Sequence, residues 1–138
     1  MQYWVVKSNS KIYDAVLGIG KLARGMYTGW GVSKNCRTGD RGFIGISGSK
    51  AAIIAEVELT GEPTVELGDA DEPEWLGKEE ARKPQYYASV RYIKFSPSGI
   101  QEPTLEGVNL TRLIGFLHRQ GPVLKLMPSE VEVLQALL

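Results

Sequence analysis

The chain is 138 residues long, 43% hydrophobic and 23% charged, and its 16 basic and 16 acidic side chains cancel. That length suits one domain, residues 1–138, with a real core, and a neutral total excludes a protein that coats nucleic acid through phosphate contacts alone. A lone cysteine, Cys36, excludes an internal disulfide and a cysteine-built zinc site, while a lone histidine, His118, excludes a histidine-rich metal site and leaves a Ser-His-Asp triad one candidate base. Neither a metal nor a cofactor is expected. The N-terminus runs straight into a strand-like segment without a signal stretch, and no apolar run reaches membrane-helix length. A cytoplasmic or nucleoid-associated protein with no membrane partner is expected.

In chain order, Gln2 to Lys7 reads as a buried first strand, with aromatic and β-branched residues in sequence. Ser8-Asn9-Ser10 is a helix-entry signal, and Ile12, Val16, Ile19 and Ala23 then recur at helical spacing, interrupted by Gly18 and Gly20. Thr38-Gly39-Asp40 is a turn. Arg41 to Ser47 and Ala51 to Leu59, joined by Gly48-Ser49-Lys50, form an antiparallel hairpin. Residues 60–84, with Pro63, Pro73 and Pro84, read as a long irregular connection of the functional or mobile kind. Gln85 to Phe95 returns as a strand whose Tyr86 and Tyr87 point to opposite faces, one core and one exposed. Pro97 to Pro103 is read as a loop. Leu110, Leu113, Ile114 and Leu117 mark a short helix ending near Gly121, Val123 to Leu126 a last strand, and Pro128 the opening of a final helix. The fold class is α+β, with the strands in a curved or barrel-like sheet flanked by helices.

Charge is unevenly distributed. Residues 1–60 carry eight Lys/Arg against four Asp/Glu, and residues 61–83 carry three against eight. The first stretch offers a modest basic patch for a nucleic-acid backbone, with Lys7, Lys34, Arg37, Arg41 and Lys50 as candidates; the acidic stretch reads as a solvated loop. Two tryptophans stand out against this background. Trp30 is flanked by Gly29 and Gly31, and Trp75 lies inside the acidic, proline-containing loop. An indole in such a setting is suited to gripping a flat ligand, and stacking a base on an aromatic is worth about 1–3 kcal/mol. The plainer alternatives are that Trp30 packs half-buried and that Trp75 pins its loop. Trp4, alternating with Val6, reads as core. Cys36 has basic neighbours that would lower a thiol pKa, but the favoured reading is a small residue in a turn. His118 reads as a surface residue.

The order Tyr3-Trp4-Val5-Val6-Lys7-Ser8, Trp30-Gly31-Val32, Thr38-Gly39-Asp40 and Ile53-Ile54-Ala55-Glu56-Val57 resembles the EVE domain, a relative of YTH domains with the PUA-like barrel fold. The resemblance covers nearly the whole chain. It implies a non-catalytic reader of a modified base, foremost a modified cytosine in DNA, with an RNA or tRNA reader as the alternative. It also implies an aromatic cage in which Lys7 and Ser8 contact the base and Trp30 and Trp75 form walls. Asn9, Gly31, Val32 and Ser33 complete the expected base-binding set, and Ser8 has a second reading as a helix cap. The chain departs from the family where Val32-Ser33-Lys34-Asn35 replaces Val-Arg-Asn and where Gly45-Ile46-Ser47 replaces Tyr-His-Ser. Lys34 retains the charge but not a bidentate guanidinium contact.

Two other function classes are compatible with the sequence. ASCH-type relatives within the PUA-like superfamily hydrolyse acylated cytidine, a reading that would need Lys21, Thr28 and Glu56 to converge. A dimerising scaffold would instead use the tryptophans as interface anchors. The expected partner is nucleic acid carrying a modified base, with the output supplied by a separate effector such as a nuclease.

Overall fold

The computed structural model describes residues 1–119, 121 and 123–138. Its strands are β1 (Tyr3–Asn9), β2 (Gly29–Gly31), β3 (Arg41–Ser47), β4 (Ala52–Leu59), β5 (Thr64–Glu66), β6 (Gln85–Gln101) and β7 (Val123–Lys125). Its helices are α1 (Ala15–Ala23), α2 (Lys78–Ala81), α3 (Glu102–Gly107), α4 (Thr111–His118) and α5 (Pro128–Leu137). The strands make one curled sheet in the order β2-β6-β4-β3-β1-β7, with β5 also paired to β6. Among the described residues only β1 and β3 run parallel, and the intervening α1 and β2 supply the crossover such a pair requires. Among the described residues no helix is long and apolar enough to cross a membrane.

Strands β1, β3 and β4 carry near-continuous apolar runs because both faces of the sheet are covered there. Val5, Phe43 and Ile53 point to a core shared with Leu105 of α3, Leu113, Phe116 and Leu117 of α4 and Leu134 of α5. Their neighbours Val6, Ile44 and Ile54 point the opposite way, to a second core with Ile19 and Leu22 of α1 and with Trp30. Strand alternation thus divides one hydrophobic sequence between two layers.

Several boundaries differ from the sequence reading. α1 begins at Ala15, not at Ile12, because Asp14 caps it by accepting a hydrogen bond from the Leu17 amide. Asn9 accepts from the Lys11 amide through its side chain and from the Ile12 and Tyr13 amides through its carbonyl, so residues 9–13 form a turn. β6 continues past Phe95. Ile53 pairs with Ile100 and Ala55 with Phe95, so Ile54 alone faces the bulge of residues 96–99, where Pro97 needs no ladder donor. Helix α3 then starts directly, with Pro103 in its first turn. Within the connection 60–84, β5 forms on the edge of β6, and α2 places Glu79 and Glu80 at its positive end.

One buried carboxylate joins the start of β1 to the turn before β3. Asp40, 4% exposed, accepts from the Gln2 amide, the Arg37 amide and the Trp4 indole Nε1 at 2.9 Å each. Burial raises its pKa, but these hydrogen bonds outweigh it and hold the carboxyl below the usual aspartate range. The stabilisation is therefore complete above about pH 3.9 and is lost as the pH falls through the depressed value. Asp40→Ala should lower unfolding stability by about 2–3 kcal/mol in urea denaturation, and a change below about 0.5 kcal/mol would refute the role assigned here.

Candidate functional site

At the C-terminal end of β1 lies a cavity of about 800 Å³, within the size range of small-molecule sites. Every expected base-binding residue lines it: Lys7, Ser8 and Asn9 from the end of β1, Trp30, Gly31, Val32 and Ser33 from β2 and its exit, and Trp75 from the acidic loop. Tyr27, Tyr86 and Tyr87 add aromatic surface. Tyr86 is exposed and Tyr87 half-buried, so neither is a full core residue.

The residue that organises the aromatic surface is Tyr13, which the helical spacing from Ile12 places inside a helix but which precedes α1. Its ring meets Trp30 edge-on at 5.7 Å between centroids and Trp75 edge-on at 4.8 Å. Such contacts are worth about 0.5–1.5 kcal/mol each. Two glycines make room for this triad. A Cβ at Gly18 of α1 would stand 2.3 Å from the Tyr13 hydroxyl, and one at Gly68 would stand 2.7 Å from the Trp75 indole. Gly18, read from sequence as a weak point in a helix, is the seat of the phenol. Trp30 is only 6% exposed, so it is a core residue that also borders the cavity, whereas Trp75 is half-buried.

The acidic loop is fastened down. The Asp14 amide donates to the Glu74 carbonyl, and the Leu76 and Gly77 amides both donate to the Ile12 carbonyl. Glu74 is 0% exposed; it receives Lys21 Nζ at 2.9 Å and the Tyr27 hydroxyl, and Lys21 also pairs with Glu72 at 2.9 Å. Burial raises the Glu74 pKa, but Lys21 and Tyr27 more than reverse this and keep the carboxyl below the ordinary glutamate range. Burial, then the Glu74 charge, pushes the Tyr13 phenol far up, and burial with the Glu74 hydrogen bond does the same to Tyr27. Both rings therefore stay neutral well into the alkaline range.

The basic candidates separate. Lys34 is exposed and lines the cavity. Lys7 lines it too, but its ammonium donates to the Phe116 and Arg119 carbonyls at the end of α4 and lies 4.3 Å from the Phe116 ring centroid, so its charge is directed to the other face of the sheet. Arg37 donates to the Lys34 and Cys36 carbonyls, and Arg41 lies 3.5 Å from Glu56. Lys50 is exposed in the β3–β4 turn, and Arg37, Arg41 and Lys50 do not line the cavity. Cys36 is buried, and burial pushes its thiol up rather than down. His118 is exposed and 2.7 Å from Glu102.

Lys21, Thr28 and Glu56 do not converge. Lys21 belongs to the Glu74 network, Thr28 is exposed, and Glu56 accepts from Gln135 of α5 on the opposite face of the sheet. Among the described residues, no cluster of three His, Cys, Asp or Glu side chains is arranged to hold a metal ion.

No protein-family model matches this sequence, and no curated protein matches it. Solved structures do. Human THYN1 in complex with 5-methylcytosine-containing DNA aligns with a TM-score of 0.63 at 15% identity, covering 99% of this chain and 97% of that one. The DUF55 domain of human thymocyte nuclear protein 1 aligns with a TM-score of 0.63 at 17% identity over 97% of each chain. A hypothetical protein from Leishmania major gives 0.66 at 16% identity, covering 99% and 93%. The fold is therefore the PUA-like fold of EVE domains, an α+β curled half-barrel with flanking helices.

Glu74→Ala should strip a buried ion pair of one partner, at a cost of about 3 kcal/mol, and expose Trp75 to solvent. Trp75 fluorescence, read with Trp4 and Trp30 replaced by phenylalanine, should shift to the red in that variant. In the wild-type loop the same shift should be absent above about pH 4.3 and appear as the pH falls through the depressed Glu74 value. An unshifted spectrum in Glu74→Ala would mean that the carboxylate does not hold the indole.

Proposed function

We propose that this chain is a non-catalytic nucleic-acid-binding module that takes a modified base, foremost a modified cytosine in DNA, into the aromatic cavity. The observation that carries the reading is that Trp30 and Trp75, 45 residues apart in the sequence, border one cavity and are linked through Tyr13. The DNA-bound THYN1 structure, on the same fold, supports nucleic acid as the partner.

A base extruded from its strand stacks on Trp75 and the exposed edge of Trp30, while Ser8, Asn9 and Ser33 offer hydroxyl, amide and backbone groups to its hydrogen-bonding edge. Gly31 and Val32 line the cavity beside Trp30. Lys34 is the cation best placed for an adjacent phosphate; Arg37, Arg41 and Lys50 lie outside the cavity and make at most peripheral contacts. Turnover by an ASCH-type mechanism is disfavoured by the separation of Lys21 from Glu56. The output then falls to a separate effector, such as a nuclease, acting in the cytoplasm. An RNA reader would use the same cavity.

Trp75→Ala should weaken binding of a 5-methylcytosine-containing DNA oligonucleotide by about tenfold to a hundredfold, the equivalent of one lost stack. Trp30→Phe, which keeps a ring in the core, should weaken it less. Fluorescence anisotropy against modified and unmodified DNA and RNA measures this, with circular dichroism as the check on folding. Equal affinity of wild type and Trp75→Ala would remove the cavity from the account.

A further inference from the structure

The charge of the cavity has a direction. Four acidic residues line it, Glu66, Asp69, Glu72 and Glu80, against two lysines, Lys7 and Lys34. Glu72 shares the Lys21 ammonium with the buried Glu74, and Lys7 is turned towards α4. That leaves Glu66, Asp69 and Glu80 facing one lysine. Among the described residues, the Glu66 and Glu80 carboxylates meet no cation, and no donor hydrogen-bonds to them, whereas Asp69 accepts from the Asp71 amide. These acids share the cavity with two indoles and with the phenol rings of Tyr13, Tyr27, Tyr86 and Tyr87. Indole and phenol faces attract cations through the ring quadrupole, and carboxylates beside them reinforce that preference.

The geometry points to a nucleobase that is cationic near neutral pH as the preferred ligand, of the kind produced by methylation of a ring nitrogen that bears no proton, such as adenine N1 or cytosine N3. This inference rests on the cavity being the base site and adds the charge of the base to that reading. A cationic ring keeps the flat surface that stacks on Trp75 and gains a charge interaction that a neutral methylated base lacks. The acidic wall formed by Glu66 and Glu80 repels phosphate, so the strand leaves the cavity on the Lys34 side.

The test compares isomeric nucleosides that differ in charge: 1-methyladenosine against N6-methyladenosine, and 3-methylcytidine against 5-methylcytidine, titrated into the intact chain near neutral pH. The cationic member of each pair should bind roughly tenfold more tightly. In a Glu66→Gln, Glu80→Gln double variant, which retains size and surface position, that preference should collapse towards unity. Neutral members that bind as well as or better than the cationic ones would overturn the inference and leave the base-reading cavity standing. A preference that persists in the double variant would overturn the role of the two acids. No binding of either member of either pair would count against both the inference and the reading beneath it.

Discussion

A carboxylate fully removed from solvent is costly unless its charge is met, and Glu74 is met twice, by the Lys21 ammonium and the Tyr27 hydroxyl. This contact turns an acidic, proline-containing loop into part of the domain. Once Glu74 is held, the neighbouring backbone pairs with residues 12–14, Trp75 settles on Gly68, and Tyr13 is fixed between the loop and Trp30. The aromatic cavity exists because the loop is anchored; an unanchored loop would leave Trp30 as a buried core residue and Trp75 in solvent.

The sheet supplies the frame for that anchor. Because its two faces feed separate cores, β1 projects Val5 and Lys7 towards α4 and Val6 towards α1. Lys7 thereby serves the fold by satisfying carbonyls at the end of α4, as cations do at helix C-termini. What the end of β1 contributes to the cavity is polar and neutral. The acids opposite it come from β5, the loop and α2, which are held by the edge of β6 and by the Glu74 network.

Much of this was legible in the sequence. The hairpin from Arg41 to Leu59 declares itself through β-branched runs broken by Gly48-Ser49-Lys50, and Pro128 marks the last helix because its missing amide costs nothing at a helix start. The eight residues expected to contact a base do gather at one cavity. Other features depend on partners distant in sequence. The three exposed residues of β5 have no pattern of their own and form a strand only because β6 offers an edge. Pro97 reads as a loop until Ile54 is seen facing four residues across a bulge. Glu74 resembles its solvated neighbours until Lys21 stands opposite, and Tyr13 escapes notice because its importance depends on an emptiness at Gly18. The signal for Tyr13 was present as Asp14, a capping residue that starts α1 one position after the phenol.

The three tryptophans provide an internal comparison for whether a base enters between the end of β1 and the anchored loop. Trp30 and Trp75 border the cavity, while Trp4 lies outside it with its indole N–H bound to Asp40. The direct measurement is the indole N–H resonance of each tryptophan by nitrogen-15 correlation spectroscopy during titration with 5-methylcytosine-containing DNA. The Trp30 and Trp75 resonances should move together along one binding curve while that of Trp4 stays in place. Binding that leaves Trp30 and Trp75 unmoved, or that shifts Trp4 instead, would contradict that entry.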